Sequence, residues 1–189
     1  MLEKIPPVIG HALAGVRAGD DKLVWNDPSA DGPETITLAS SAFEDRASLP
    51  AAFTEDGEAG SPPLAWRNAP LAAAALLLVI EDADSPTPQP IIHTLAAGPA
   101  ATQGALEAGA LAPGGATDWL LGKNSFGKLG YLPPDPPTGH GAHCYVVQLY
   151  ALRTAPNLEE GFGKSDMLEA LRGNVLARGA ISTLYERPG

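Results

Sequence analysis

Residues 122–152 read GKNSFGKLGYLPPDPPTGHGAHCYVVQLYAL and pass from a loop rich in Gly and Pro into an apolar run. The loop carries too many glycines and prolines to form a helix or an inner strand. The run from Cys144 to Leu152 is rich in β-branched and aromatic residues, which predicts a buried strand. His143 and Tyr145 are two residues apart, so in an extended chain they point to the same face. A rigid strand end beside a glycine-rich rim favours a small binding site.

Two further apolar runs predict neighbouring strands. The run from Leu71 to Ile80 follows Pro70, and its short length favours a central strand over a helix. Ile91 to Ala97 resumes as a strand after a proline-rich loop, and strict alternation would place His93 on the same face as Leu95 and Ile91. The predicted inner strands are Leu76 to Ile80, Ile91 to Leu95 and Tyr145 to Leu149.

Local patterns predict the remaining elements. An alternating stretch indicates a half-buried strand, and a polar residue before an amphipathic stretch indicates a capped helix. These elements are a short helix or arm over Val8 to Val16, short strands at Leu23 to Trp25, Thr35 to Ala39 and Leu64 to Trp66, a loop over residues 98–121, a helix over Asp166 to Arg178 capped by Ser165, and a last strand over Ala180 to Tyr185.

Composition limits the class of protein. Hydrophobic residues make up 44% of the 189 residues, which is enough for a core, and 21 Gly with 19 Pro indicate a loop-rich β protein. The length and the absence of a composition break predict one domain over residues 1–189. The net charge is −10, so the surface repels phosphate backbones and nucleic acid is not expected as a partner.

The sequence also predicts a compartment. Cys144 is the only cysteine, so no intramolecular disulfide can form, and a cytoplasmic location is the simpler interpretation. The first residues, MLEKIPP, lack a basic segment followed by an apolar one, which argues against a signal peptide. The longest apolar run, Leu71 to Ile80, is about half a membrane span, so no integral membrane association is expected.

Polar residues beside apolar strands are the candidates for chemistry. Asp82 and Asp84 follow one predicted strand, His93 lies inside another, and His143 with Tyr145 opens a third. Polar side chains in such positions need partners, and a carboxylate that accepts from an imidazole N–H fixes the orientation of the ring. Each residue alone is typical of a solvated acid or a core histidine, whereas the combination favours a shared site.

The neighbours of these candidates have simpler interpretations. His140 lies in a glycine loop and is expected to be exposed, while Cys144 has the opposite parity to His143 and is expected to face the core, where its thiol would react poorly. Trp66 and Trp119 are expected to be packing residues. The stretch from Asn124 to Phe126 is expected to shape a turn.

Three motifs carry a resemblance to a known family. Residues 61–66 read SPPLAW, residues 82–86 read DADSP with His93 at a matching spacing, and residues 122–145 contain GKNSFG, GY, PP and GHGAHCY in order. On these motifs the chain resembles the phosphatidylethanolamine-binding protein family, in particular its bacterial Raf-kinase-inhibitor-like branch. The resemblance covers residues 61 to about 152.

The resemblance implies a mainly β, antiparallel fold with a large central sheet, a smaller second sheet and a few peripheral helices. It implies a non-catalytic pocket for a phosphate-like or carboxylate anion, such as a phospholipid headgroup, without metal or cofactor, and a regulatory role towards a kinase or a protease. Both a monomer and a homodimer fit the sequence. The implied pocket residues are Asp82, His93, His143 and Tyr145, with Asp84 and Pro86 at the rim.

Departures from the family pattern predict weaker anion binding. Cys144 stands where the family usually has Arg, and Ile91 stands where it usually has Trp. Ser125 replaces an acid. Asp135 replaces a residue that is often Cys and adds negative charge near the predicted mouth.

Two alternatives to an anion-binding module remain at this point. Two histidines with two carboxylates could hold Zn²⁺ and activate a water, as in a metal-dependent hydrolase. Against this, the sequence contains neither an H-E-x-x-H nor a G-x-S-x-G motif. A structural domain with a degraded pocket is the other alternative.

Overall fold

The computed structural model describes residues 7–187, and this part of the chain is mostly β-structure. Its helices are α1 (Pro7–Leu13) and α2 (Lys164–Leu171), with 3₁₀ turns at Asp20–Lys22, Val24–Asn26, Pro28–Ala30 and Ala51–Phe53. Its strands are β1 (Thr37–Ala39), β2 (Leu64–Arg67), β3 (Ala75–Asp82), β4 (Ile91–Pro99), β5 (Gly104–Leu106), β6 (Leu120–Leu121), β7 (His143–Leu152) and β8 (Val175–Tyr185).

These strands form two antiparallel sheets. The large sheet has the order β6-β4-β3-β7-β8, and the small sheet has the order β1-β2-β5. The predicted inner strands are confirmed, because β4, β3 and β7 all have neighbours on both sides. The predicted antiparallel fold with one large sheet, one smaller sheet and few helices is confirmed as well.

Both faces of the large sheet are covered. Leu76, Leu78 and Ile80 belong to a core shared with the small sheet, whereas Leu77 and Val79 belong to a second core under α2. Because β3 is buried on both faces, its apolar run does not alternate with polar residues. In the first core Trp66 and Trp119 meet edge to face with ring centroids 5.8 Å apart, as expected of packing residues.

A bulge interrupts the pairing of β4 with β3. Thr94 pairs with Ile80 and Ile92 pairs with Glu81, so His93 is an extra residue with no partner across the ladder. The bulge changes which face the preceding residues occupy. The alternation predicted for β4 is therefore wrong, because Leu95 lies in the core under α2 while His93 lines a cavity on the other face of the sheet.

A buried acid anchors the layer that covers the second face. The side chain of Glu81 is fully buried, and its Oε2 accepts from the amide of Val24 at 2.8 Å and from the side chain of Gln148 at 2.9 Å. Its Oε1 lies 3.0 Å from Nζ of Lys164, the first residue of α2. One carboxylate thus holds a 3₁₀ turn and a helix against the sheet.

The predicted helix over Asp166 to Arg178 is wrong in its second half. Gly163, rather than Ser165, is the N-cap of α2, and its amide donates to the carboxylate of Asp166 at 2.8 Å. Gly173 has a φ of 64°, the left-handed conformation that commonly ends a helix. The residues that follow pair with β7 as β8, so long-range pairing overrides their helical pattern.

Two smaller predictions are also wrong. Leu23 to Trp25 is not a strand, because Val24–Asn26 forms a 3₁₀ turn. Residues 98–121 are not only loop, because they contain β5 and β6. The expectation that the first residues are not a signal peptide concerns residues 1–6, which lie outside the described part of the chain. Within residues 7–187, no helix combines the length and the apolar character needed to span a bilayer.

Candidate functional site

A cavity of about 480 Å³ opens where β3 ends and where β4 and β7 begin. The antiparallel pairing brings these three strand termini to the same edge of the large sheet. Its wall combines polar strand residues with apolar residues of the loops. The lining residues include Asp82, Pro86, Ile91, His93, Phe126, Tyr131, Leu132, His143 and Tyr145.

His93 lines this cavity, and one of its two ring nitrogens has a partner within the protein. Its Nδ1 lies 2.6 Å from the carbonyl oxygen of Leu132, which can only accept, so the hydrogen of a neutral ring is on Nδ1. Its Nε2 is buried and has no hydrogen-bond partner among the described residues. Burial lowers the pKa of His93, although the charge of Asp82 acts in the opposite direction. In the neutral ring, Nε2 therefore carries a lone pair.

Tyr145 presents a second buried polar atom. It pairs across the sheet with Asp82, and its ring meets that of His93 edge to face with centroids 5.1 Å apart. Its hydroxyl has no hydrogen-bond partner among the described residues. Burial raises the pKa of this phenol well above its usual value, so the hydroxyl keeps its hydrogen and can donate it.

His143 lines the cavity, but both of its ring nitrogens are bonded within the protein. Its Nδ1 lies 2.8 Å from Oδ2 of Asp82, and its Nε2 lies 2.7 Å from Nδ1 of His140. The expected exposure of His140 is wrong, because only 1% of its surface is accessible. The backbone of His140 is in a glycine loop, but Nε2 of its ring lies 2.8 Å from the carbonyl oxygen of Leu13, the last residue of α1.

The two rim residues of the prediction differ in position. Pro86 lines the cavity. Asp84 does not line it, since its Oδ1 forms an ion pair with Nη1 of Arg17 at 2.8 Å and its Oδ2 accepts from the amide of Cys144 at 2.7 Å. Asp84 therefore joins the loop after β3 to the start of β7 instead of facing the cavity.

The turn predicted at Asn124 to Phe126 supports β4. Oδ1 of Asn124 accepts from the amides of Phe126 and Lys128, and its side-chain amide donates to the carbonyl of Gly130. The hydroxyl of Ser125 accepts from the amide of Ile92 at 2.8 Å. This contact holds the strand directly beside the bulged His93.

The mouth of the cavity is less acidic than the sequence predicted. Asp135 lines the mouth, but it forms an ion pair with Arg187. Arg187 also pairs with Asp56 at 2.9 Å, and Asp56 accepts from the hydroxyl of Tyr185 at 2.6 Å. Arg187, near the end of the chain, thus supplies a positive charge that compensates the carboxylates of Asp56 and Asp135.

A family model described as phosphatidylethanolamine-binding protein matches residues 39–186, which include the large sheet, most of the small sheet and the cavity. The chain belongs to this family. A UPF0098 protein of Methanothermobacter thermautotrophicus is 38% identical over 156 residues, which cover 80% of this chain and 99% of the relative. The crystal structure of CT736, a phosphatidylethanolamine-binding protein homologue of Chlamydia trachomatis, is 30% identical with a TM-score of 0.75, and the match covers 82% of this chain and 99% of that one.

A third relative bears on the predicted location. LppC of Mycobacterium tuberculosis is named as a lipoprotein and is 36% identical over 132 residues, which cover 70% of this chain and 63% of the relative. A family member with that name leaves the cytoplasmic location of this chain a prediction.

Membership of the phosphatidylethanolamine-binding protein family makes the position of Arg17 informative. Cys144 takes the place of the usual family arginine, yet the guanidinium of Arg17 still reaches Asp84. Arg17 also donates to the carbonyls of Ala142 at 3.0 Å and His140 at 3.4 Å. Sequence reasoning missed this residue, because nothing in the motifs shows that the segment after α1 folds onto them. The one signal was Cys144 in the place of the usual family arginine, which removes a cation from this loop.

Cys144 lies on the opposite face of β7 from His143, as its parity predicts, but the expectation that it faces the core is wrong, because it is only half-buried and belongs to neither core. Among residues 7–187, no group of three or more His, Cys, Asp or Glu side chains is arranged to hold a metal ion.

Proposed function

We propose that the chain is a non-catalytic binding protein whose cavity takes a small phosphate-like or carboxylate anion. The observation that carries the proposal is a pair of buried polar atoms without partners in the described protein, Nε2 of His93 and the hydroxyl of Tyr145, on two residues that line the same cavity. Burying a polar group without a partner is costly, so this pair supports a ligand that bonds to both atoms.

Anion binding at this pair is coupled to a proton. Nδ1 of His93 already donates to Leu132, so an anion can accept from Nε2 only when the ring is protonated. Burial lowers the pKa of His93, and the protonated ring is therefore the minor form at neutral pH. Anion affinity should rise as the pH falls towards the lowered pKa and should fall again as the pH increases.

The rest of the cavity supports a ligand with an apolar part. A volume of about 480 Å³ exceeds that of a phosphate ion, and Ile91, Leu132 and Phe126 add apolar surface to the wall. A phospholipid headgroup or another phosphorylated ligand would place its anion at His93 and Tyr145 and its apolar part among these side chains.

Two tyrosine variants test the proposal. Tyr145→Phe removes only the unpartnered hydroxyl and should weaken phosphate or acetate binding by about tenfold or more, since a hydrogen bond to a charged group contributes roughly 1.5–3 kcal/mol. Tyr131 also lines the cavity, but its hydroxyl donates to the carbonyl of Phe53 at 2.8 Å. Tyr131→Phe should therefore lower stability by about 1 kcal/mol and leave the affinity unchanged.

The measurement is an NMR titration of the three proteins with inorganic phosphate, acetate and glycerophosphoethanolamine at two pH values. Stronger binding of the glycerol derivative than of inorganic phosphate would identify a lipid headgroup as the better ligand. Equal affinity of the wild type and Tyr145→Phe, or tighter binding at the higher pH, would contradict the proposal.

Two finer predictions follow from the resemblance alone, namely modulation of a kinase and modulation of a protease. The sequence fits both a monomer and a homodimer. The metal-dependent hydrolase is the alternative class, and metal analysis of the purified protein separates it from the binding protein.

A further inference from the structure

His140, which does not line the cavity, completes a buried chain of hydrogen bonds behind it. The chain runs from Oδ2 of Asp82 to Nδ1 of His143 at 2.8 Å, from Nε2 of His143 to Nδ1 of His140 at 2.7 Å, and from Nε2 of His140 to the carbonyl oxygen of Leu13 at 2.8 Å. The side chains of Asp82, His143 and His140 are all buried, and we call these three side chains the relay.

The relay needs one hydrogen more than two neutral imidazoles and an ionised Asp82 contain. Each of its three contacts requires one hydrogen between the two heavy atoms. The carbonyl of Leu13 can only accept, so Nε2 of His140 must carry a hydrogen. Two neutral imidazoles supply two hydrogens, and an ionised Asp82 supplies none. With two hydrogens, one contact would place two lone pairs against each other in a buried site.

We propose that Asp82, His143 and His140 share one additional proton at neutral pH, and that His140 is the positioning residue that keeps this proton on His143. The relay is then a carboxylate next to an imidazolium, and its total charge is zero. This inference rests on the proposed anion-binding function for its effect on ligands, but the proton count itself is independent of any ligand.

The surroundings place the proton on His143 rather than on His140. Burial and the neighbouring His143 lower the pKa of His140, and the guanidinium of Arg17 beside it acts in the same direction. His143 instead touches the carboxylate of Asp82. The other titratable groups that face the relay are His93 of β4, Tyr145 of β7 and His11 of α1, whose ring lies next to Gly139.

The shared proton matters for the cavity in two ways. It compensates the charge of Asp82, so the wall beside His93 and Tyr145 does not repel an anion. It also lets Nδ1 of His140 accept from His143 while Nε2 of His140 donates to the carbonyl of Leu13, so the segment that carries Arg17 stays on the loops of the site. His140 therefore acts through His143 and through Leu13, without touching a ligand.

The direct test is a long-range ¹H–¹⁵N correlation spectrum of the imidazole rings in the unliganded wild-type protein at neutral pH. Both ring nitrogens of His143 should be protonated, and His140 should be neutral with its hydrogen on Nε2. A neutral His143 beside an ionised Asp82 would overturn the proposal. This result does not depend on whether phosphate binds.

Two variants of His140 separate positioning from simple packing. In His140→Asn the side-chain oxygen can replace Nδ1 as acceptor, whereas His140→Leu offers no acceptor. The Leu variant should bind phosphate about tenfold more weakly at pH 8 and recover as the pH falls, while the Asn variant should resemble the wild type.

The remaining outcomes are also decisive. If both variants lose the same stability and both keep an imidazolium at His143, His140 only packs and the proposal fails. If phosphate does not bind the wild type at any pH but the spectrum shows the imidazolium, the proposed function fails and the shared proton stands. If the Leu variant does not fold, the wild-type spectrum decides.

Discussion

Lys164→Met should destabilise the protein because it removes the cation that faces a fully buried carboxylate. Lys164 Nζ lies 3.0 Å from Oε1 of Glu81, and the two side chains are 29% and 0% exposed. Removing one partner of a buried pair costs about 3–5 kcal/mol, and the partial exposure of Lys164 favours the lower end of that range. Lys164 is also the first residue of α2, where a positive charge opposes the helix dipole, so its removal returns about 0.5 kcal/mol. The expected net loss is about 2.5 kcal/mol.

The same helix offers a matched control. Arg172 and Glu169 form an ion pair of 2.9 Å, but these side chains are 68% and 72% exposed. Arg172→Met should therefore change the free energy of unfolding by less than about 1 kcal/mol. The two substitutions break ion pairs of nearly equal length, so the difference between them measures the effect of burial.

The assay is urea unfolding followed by circular dichroism, with thermal unfolding as a second measurement. The expected loss for Lys164→Met corresponds to a Tm lower by roughly 5–10 °C in a chain of this size. The double variant Glu81→Gln with Lys164→Met should regain part of the loss, because no buried charge remains unpaired. If Lys164→Met and Arg172→Met lose the same small amount, the reasoning about Glu81 is refuted.

Three other expectations concern single residues. Burial and the nearby Asp84 raise the pKa of the Cys144 thiol to about 11, so labelling of the native protein at pH 7 should be slow, and rapid labelling would show an accessible thiolate. Gly98→Ala should lower stability by about 1–3 kcal/mol in thermal unfolding, since a Cβ there would overlap the indole ring of Trp119, whereas Gly15→Ala meets nothing within 4 Å and should be neutral. Arg17→Gln should weaken phosphate binding about fivefold by loosening Asp84, and unchanged affinity in an NMR titration would show that the guanidinium is dispensable.

The parts of the fold that depend on local pattern could be predicted from the sequence. Apolar runs of strand length with Pro or Gly nearby gave β3 and β7, because burial on both faces of a sheet leaves few alternatives for such runs. The helix after Gly163 was predicted in its first half only. Its continuation failed because residues beyond Gly173 gain more from pairing with β7 than from helical hydrogen bonds, and pairing partners distant in sequence leave no local signal.

The candidate site could be predicted only as a set of residue types. Asp82, His93, His143 and Tyr145 do line one cavity, but the sequence could not show which ring nitrogens remain available. The availability of the ring nitrogens of His143 depends on His140, whose burial results from a segment more than a hundred residues earlier in the chain. The charge of the mouth was misjudged for the same reason, because the cation near it comes from the end of the chain.

Because His93 is an extra residue in β4, the site depends on the number of residues in this strand as well as on their identity. Pairing with β3 is regular on both sides of His93, so a β4 with one residue fewer could pair without interruption. The core around the strand would still fold, but the residues on one side of the deletion would exchange faces. In evolution, the deletion of a single residue from β4 could therefore remove the histidine from the cavity in one step. A relative whose sequence has a one-residue gap within β4 is therefore expected to lack this site, even where the alignment places a histidine at the position of His93.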